Sequence, residues 1–129
     1  MISRRMSEDQ ASTNLNQITM KTETLVRIGG HKKIPFSSIL MLKADSNYTL
    51  VYLNDGSQIL SSTTIGILEK RLKDFQFFRP NRSIIVNLQY LKNFEGKSQT
   101  GNFASISLKN DTKIPISRRK TLEFLKIIQ

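Results

Sequence analysis

The sequence predicts one mainly β domain with a short helix in the middle of the chain and a second helix at its C-terminus. Short runs of β-forming residues alternate with polar turns from Leu25 to Ile116. Apolar residues recur at helical spacing in two stretches, which begin at Ile65 and Leu122. The chain has 129 residues, an ordinary length for a single domain.

The predicted domain begins after a polar lead. Residues 1–23 are rich in Ser, Thr, Asn and Gln, so we expect them to be disordered, with residues 24–129 forming the folded domain. Arg4 and Arg5 are followed by polar residues rather than by the apolar segment of a signal peptide. No apolar run approaches the roughly 18 residues of a transmembrane helix. The expected location is therefore the cytoplasm, and the absence of Cys fits a reducing compartment.

The strands are predicted from runs of β-branched, aromatic and other apolar residues between turn signals. Asp55-Gly56 between two such runs is typical of a β-hairpin. In the run 103–108, side chains alternate between the two faces of the strand, which places Ala104, Ile106 and Leu108 on the core face. The predicted strands are 25–28, 39–44, 48–53, 58–61, 77–79, 84–87, 90–94, 103–108 and 113–116.

The middle helix is predicted from apolar residues that share one helical face. These residues are Ile65, Leu68, Leu72 and Phe75. Thr63 or Thr64 can cap its start by accepting from a free backbone N–H group. Gly66 lowers the stability of this helix by about 1 kcal/mol relative to Ala.

The C-terminal helix is predicted to begin after Ser117, whose hydroxyl can cap it. We expect its apolar side to carry Leu122, Leu125 and Ile128, with Phe124 beside them.

The charge of the chain is strongly positive and uneven. Twenty Lys and Arg stand against ten Asp and Glu, a formal net charge of +10. Residues 76–129 hold ten of these cations and three of the anions, a net +7. Such a chain attracts polyanions, so nucleic acid, anionic lipid and acidic protein are the candidate partners. The C-terminal part should carry the contact surface.

Catalysis is not indicated. The single His31 lies beside two glycines and two lysines, and the motifs of zinc proteases, α/β-hydrolases and P-loop proteins are absent from the sequence. We therefore expect no enzyme activity, cofactor, metal site or small-molecule substrate, and an exposed loop position for His31.

The first basic cluster, Arg79 to Ser83, lies between two strongly apolar segments. We interpret it as a loop that Pro80 stiffens. The Arg82 guanidinium can bind guanine or a phosphate, Asn81 can pair with a base edge, and the Ser83 hydroxyl can reach a phosphate oxygen. A solvated turn with a local Arg–carboxylate pair is the alternative.

The second basic cluster is Ser117-Arg118-Arg119-Lys120. If Ser117 caps a helix, three cations crowd a helix start, whose partial positive charge favours anions. A bound phosphate would reverse this repulsion, because the free N–H groups and the cations would converge on it. The alternative is that the side chains extend into water.

A third candidate is the turn Asp45-Ser46-Asn47-Tyr48. Asn47 can read a base, and Tyr48 can pack on a sugar or a base. A plain β-turn with Tyr48 in the core is an equally strong interpretation.

Two motifs in this order are specific enough to compare with a family. They are Phe78-Arg79-Pro80-Asn81-Arg82-Ser83-Ile84-Ile85-Val86-Asn87 and Ile114-Pro115-Ile116-Ser117-Arg118-Arg119. They resemble the family patterns F-R-x-H-R-S-x-x-V-N and I-P-V-S-R-R of the LytTR DNA-binding domain of bacterial transcription regulators. The resemblance extends from about Ile34 to Lys126, which is most of the chain.

The resemblance implies small antiparallel sheets stacked in layers, and DNA binding through loops that enter successive major grooves. Carried over by position, it implies base contacts from Tyr48, with Asn47 beside it, and from Arg82 and Arg118. Asn81 stands where the family usually has His, so base preference at that position differs from the family pattern.

Together with the chemistry of the clusters, the resemblance defines two sets of candidate residues. The candidate base contacts are Asn47, Tyr48, Asn81, Arg82 and Arg118. The candidate phosphate contacts are Arg79, Ser83, Ser117, Arg119 and Lys120.

The main hypothesis is sequence-specific binding of duplex DNA by a transcription regulator at repeated half-sites, with a second copy on the same DNA. A protein-interaction module that docks an acidic or membrane-bound regulatory partner, through apolar residues such as Phe124 and Ile127, is the alternative. RNA binding ranks third, because the aromatic motifs of an RRM are absent. About 30 polar residues precede the motif region, too few for the receiver domain that the family commonly carries. We therefore expect a stand-alone domain or a piece of a longer protein.

Overall fold

A computed structural model of the chain describes residues 24–96 and 104–128. The predicted lead, residues 1–23, lies outside the described residues, as does Phe103 at the start of one predicted strand. Within the described ranges the chain forms ten strands and two α-helices, one in the middle and one near the C-terminus. The predicted mainly β fold with two helices is therefore confirmed.

The elements follow the predicted order, with one addition. The strands are β1 (Leu25–Gly29), β2 (Lys32–Pro35), β3 (Ile39–Asp45), β4 (Tyr48–Leu53), β5 (Gln58–Ser61), β6 (Phe77–Asn81), β7 (Ile84–Asn87), β8 (Leu91–Glu95), β9 (Ser105–Leu108) and β10 (Lys113–Pro115). The helices are α1 (Ile65–Arg71) and α2 (Arg118–Ile128), and 3₁₀ helices occupy Phe36–Ser38 and Leu88–Tyr90. Sequence patterning missed β2 because two lysines and a proline leave it a single buried apolar residue, Ile34.

Three antiparallel sheets stack in layers. The central sheet has the strand order β5-β4-β3-β7-β6, and the two outer sheets are β1-β2 and β10-β9-β8. One core lies between the central sheet, the β1-β2 hairpin and α1, and it includes Ile28, Leu42 and Leu68. The second core lies between the other face, the three-stranded sheet and α2, and it includes Val86, Ile106 and Phe124.

The strand register places two tight turns at one end of the central sheet. Two residues join β3 to β4, and two residues join β6 to β7. Because β3 pairs antiparallel with β7, with Lys43 opposite Ile84, both turns lie at the same end. The C-terminal residue of β5, Ser61, lies opposite Thr49 and therefore reaches this end as well.

Helix α1 ends at Arg71, so Leu72 and Phe75 of the predicted helical face lie beyond it. Ile65, Leu68 and Leu72 are all buried against the first core. Thr64 occupies the position that caps the helix, but its hydroxyl makes no capping hydrogen bond. The predicted position of the cap is therefore right, and its predicted side-chain bond is not formed.

Helix α2 begins as predicted and packs differently. The Ser117 hydroxyl oxygen accepts from the Lys120 N–H at 3.3 Å, which confirms this residue as the cap. The Phe124 ring is fully buried, 5.2 Å from the ring of Phe78. Leu122 is 68% exposed and Ile128 is 45% exposed, so the predicted places of both residues on the buried side are wrong. Residues two positions apart point about 200° apart on a helix, and the larger aromatic ring takes the buried position.

Candidate nucleic-acid interface

The first basic cluster is mostly strand rather than loop. Arg79, Pro80 and Asn81 belong to β6, and only Arg82 and Ser83 form the turn to β7. The predicted five-residue loop is therefore wrong. Pro80 is accommodated because β6 is an edge strand whose register with β7 shifts after Phe78. Arg82 consequently lies at the tip of a tight hairpin.

The Arg79 side chain is partly buried and is bonded to two neighbouring residues. Its Nη1 donates to Glu69 Oε1 of α1 at 2.8 Å, and its Nη2 donates to the backbone carbonyl of Arg82 at 2.6 Å. Arg79 therefore forms the local Arg–carboxylate pair that was the alternative interpretation of this cluster. Its guanidinium braces the hairpin tip, and its other N–H groups are those that a phosphate could use.

Arg82 differs from Arg79 in that it is exposed. No carboxylate in residues 24–96 or 104–128 forms an ion pair with its guanidinium. The turn residue Ser83 is also exposed, and its carbonyl accepts from the Ala44 N–H at 2.7 Å. The backbone of this turn is therefore fixed to β3 while the Arg82 side chain is available to a ligand.

Two hydrogen bonds bring the two basic clusters together. The Asn81 Nδ2 donates to the carbonyl of Pro115, and the Ser117 N–H donates to the carbonyl of Pro80, each at 2.9 Å. The Asn81 Oδ1 also accepts from the Ser83 N–H at 2.9 Å. Asn81 therefore connects the β6–β7 turn to the segment before α2. One N–H and one lone pair of its amide remain for a base edge.

The second cluster forms the first turn of α2. Arg118 and Arg119 are exposed, whereas Lys120 is partly buried and its Nζ lies 3.1 Å from Glu123 Oε2. An open groove of about 690 Å³ separates this turn from the β6–β7 turn. The residues that line the groove are Asn81, Ser83, Ile84, Pro115, Ile116, Ser117 and Arg118.

The β3–β4 turn has its side chains outside the core. Ser46 adopts a φ of 56°, and Asn47 beside it is exposed. Tyr48 is 49% exposed, so the interpretation with Tyr48 in the core is wrong. The midpoints of the β3–β4 and β6–β7 turns are two strand spacings apart, about 10 Å.

These segments form one continuous surface, which we call the basic end. It comprises residues 45–48, 79–83 and 117–120. Sequence patterning missed one cation beside it, Lys43, which lies on β3 opposite Ile84 of the groove. Lys43 is exposed although the four residues before it are buried. Its charge within the otherwise apolar run 39–44 was the available signal.

Two carboxylates have lowered pKa values. The Ser57 hydroxyl and backbone N–H donate to Asp55 and lower its pKa, and the Lys113 ammonium group bonded to Glu95 lowers the pKa of that carboxyl. A lowered pKa keeps a carboxylate ionised until the pH falls below its ordinary range. Neither group therefore changes charge near neutral pH.

The described residues offer neither a metal site nor a membrane-spanning helix. Among residues 24–96 and 104–128, no group of three or more His, Cys, Asp or Glu side chains could hold a metal ion. Over those ranges no helix has the length and apolar character needed to cross a membrane. His31 is exposed in the turn between β1 and β2, as expected.

Known proteins are similar to this chain in sequence and in fold. The "Sensory transduction protein LytT" of Bacillus subtilis (strain 168) is 27% identical over 124 residues, which covers 88% of this chain. The chain spans 50% of the length of that relative. A solved structure of the LytTr DNA-binding domain of a Bacillus cereus protein, described as a methyl-accepting/DNA response regulator, has a similar fold. It superposes with a TM-score of 0.65 at 24% identity, and covers 84% of this chain and 97% of that chain.

The family comparison covers most of the chain. The family model of the LytTr DNA-binding domain matches residues 29–129. The match includes all three segments of the basic end. It describes a DNA-binding domain rather than a class of enzyme. This chain therefore belongs to the LytTr DNA-binding domain family.

Proposed function

We propose that this chain is a transcription regulator that binds duplex DNA sequence-specifically at repeated half-sites, through its basic end. The observation that carries the proposal is the pair of hydrogen bonds from Asn81 to Pro115 and from Ser117 to Pro80, which connect the hairpin that carries Arg82 to the segment that precedes Arg118. Two guanidinium groups on fixed backbone can each present paired donors to guanine O6 and N7. The expected location is the cytoplasm, where bacterial chromosomal DNA lies.

The remaining residues of the basic end have supporting roles in this proposal. Asn47 and Tyr48 lie about 10 Å from the β6–β7 turn, a distance of roughly three base pairs along a duplex. They are the second point of base contact, and Asn81 contributes its free N–H and lone pair. The proposed phosphate contacts are Arg79, Ser83, Ser117, Arg119 and Lys120.

The small size of this surface supports repeated half-sites. One copy presents three short segments and covers only part of a helical turn. A second copy on the same face of the duplex, about one turn or a multiple of a turn away, would add the specificity that one copy lacks.

The test begins with selection of bound fragments from random duplex DNA, followed by binding measurements on the selected and on scrambled duplexes. Arg82→Ala and Arg118→Ala should each lose about 1–3 kcal/mol of binding free energy on the selected site and much less on scrambled DNA. Lys109→Ala is the matched control, because Lys109 is exposed near Tyr90, at the other end of the sheet.

Salt dependence tests the polyanion contact separately. If four to eight phosphates are neutralised, the log–log slope of affinity against salt should be roughly −4 to −7. Equal losses on selected and scrambled DNA would contradict base readout, and a flat salt response would contradict DNA binding itself.

A regulatory protein partner is the second candidate function. Phe124 was expected to dock such a partner, but its side chain is fully buried, so that expectation is wrong. The apolar residues that α2 does expose, Leu122, Ile127 and Ile128, favour such a partner. Leu122→Gln should then leave DNA affinity unchanged and alter expression from a promoter that carries the selected site. Unchanged expression would argue against the partner.

A further inference from the structure

The β1-β2 hairpin carries cations that the basic end does not include. His31, Lys32 and Lys33 lie at or beside its tip and are all exposed. Arg27 and Lys33 are directly opposite each other in the antiparallel register, and both are exposed. Like charges opposite each other in a sheet are destabilising. In the described part of the chain no carboxylate forms an ion pair with Arg27, Lys32 or Lys33.

The tip of this hairpin is fixed at the same end of the central sheet as the two turns. The buried Ser61 hydroxyl donates to the Ile28 carbonyl and accepts from the Thr63 N–H at 3.0 Å. Gly29 approaches Ser61 so closely that a Cβ on residue 29 would lie 2.9 Å from the Ser61 Oγ. Ser61 is the last residue of β5, which ends beside the β3–β4 turn. The hairpin tip is therefore docked on the edge strand β5.

The hairpin tip and the start of α2 consequently lie at opposite edges of the central sheet. Gly29 contacts β5 at one edge of the central sheet, and Ser117 is bonded to Pro80 of β6 at the other edge. The two edges are four strand spacings apart, about 19 Å, which corresponds to five or six base pairs of a duplex. A duplex laid across the basic end would extend past both edges.

We propose that the β1-β2 hairpin is a second phosphate-binding element, in which Lys32 and Lys33 contact the DNA backbone outside the bases read by the basic end. This proposal rests on the proposed function. It adds contacts to DNA phosphates, which do not depend on the base sequence. Lys32 lies beside Ser61 and Ser62 where β5 ends, and Lys33 shares the exposed face of the hairpin with Arg27. A phosphate bound between Arg27 and Lys33 would offset the repulsion of this like-charged pair.

The experiment compares two double variants that remove the same charge. Lys32→Gln/Lys33→Gln removes the proposed contacts, and Lys73→Gln/Lys109→Gln removes two exposed lysines that lie away from the basic end. Affinity is measured across a salt series on the selected duplex, on a scrambled duplex, and on a selected duplex trimmed to the bases that the basic end reads. Thermal unfolding checks that all proteins are folded.

In the hairpin variant, the log–log slope of affinity against salt should be less negative by roughly 1.8, because two phosphate contacts at about 0.9 each are lost. Its affinity relative to the wild-type protein should therefore change about tenfold between roughly 50 and 200 mM salt. The loss should be equal on selected and scrambled DNA, and it should vanish on the trimmed duplex. The control variant should keep the wild-type slope.

Two outcomes would overturn the assignment. One is a hairpin variant whose salt slope matches that of the control variant. The other is a loss confined to the selected sequence, which would indicate base readout instead of phosphate contact. Failure of the proposed function is distinguishable, because the wild-type protein would then bind no duplex in a salt-dependent manner.

Discussion

The two ends of the central sheet satisfy their polar groups in opposite ways. At the distal end, residues 36–38, 54–57 and 87–90, the polar side chains bond to one another and to the backbone. Asn54 Nδ2 donates to the Tyr90 Oη at 3.0 Å, and the Tyr90 hydroxyl donates to the carbonyl of Ser37. At the basic end, Asn47, Tyr48 and Arg82 are all exposed.

This difference separates stabilising groups from ligand-binding groups within one sheet. Buried Asn87 illustrates the distal end, since its Nδ2 donates to the Ile39 carbonyl at 2.8 Å and its Oδ1 accepts from the Gln89 N–H at 3.0 Å. At the basic end, Asn81 and Arg79 bond to backbone atoms that position Arg82 and Arg118 rather than to each other. The lesson is that residues of the same type can stabilise one end and position ligand-binding groups at the other.

The largest expected effect comes from Phe124→Ala, because this ring joins α2 to the sheet. Truncating a fully buried Phe should lower the free energy of unfolding by about 3–5 kcal/mol. DNA affinity should fall with it, since Arg118 is carried by α2. Leu122→Ala on the exposed face of the same helix should stay within about 0.5 kcal/mol of the wild-type stability. Urea denaturation measures both, and equal stabilities would show that α2 is not anchored through Phe124.

The next effect compares one asparagine at each end. Asn87→Ala removes the side-chain partners of the buried Ile39 carbonyl and of the Gln89 N–H, and should lower the free energy of unfolding by about 2–4 kcal/mol. Well below its melting temperature, the variant should bind the selected DNA as the wild-type protein does.

Asn81→Ala is the matched change at the basic end. Water can replace its exposed bonds, so stability should fall by less than about 1.5 kcal/mol. Affinity for the selected duplex should nevertheless fall about tenfold or more, because the segments that carry Arg82 and Arg118 lose one of the two hydrogen bonds that connect them. If the two variants lose stability and affinity in the same proportion, the contrast between the ends is wrong.

The smallest expected effect is a gain in stability near the basic end. A Cβ on Gly66 in α1 would meet no atom within 4 Å, so Gly66→Ala should raise the free energy of unfolding by about 0.5–1 kcal/mol. DNA affinity should not change, because α1 packs on the core and leaves the turns where they are. A thermal melt with a binding titration checks both, and a loss of affinity would show that the DNA surface depends on flexibility in α1.

Sequence patterning predicted most of the elements because their signals are local. The Asp55-Gly56 hairpin, the apolar face of α1 and the alternation of Ala104, Ile106 and Leu108 were all confirmed. Strand β2 was missed because its buried residue, Ile34, is single and its neighbours are charged. The predicted buried side of α2 was wrong. Helical periodicity selects the face that several apolar residues share, whereas α2 is anchored by one buried residue on another face, Phe124.

The sequence by itself determined the mainly β architecture, the excess of positive charge after residue 75 and the two Arg motifs, since each depends on neighbouring residues. Only the tertiary structure decided which parts of the motifs meet a ligand. Arg79 and Arg82 look equivalent in the sequence, yet one is bonded to Glu69 and the other is exposed. The hairpin cations Lys32 and Lys33 acquired a place beside the basic end through the contact of Gly29 with Ser61. Long-range contacts of this kind form when sheets stack, and no local pattern encodes them.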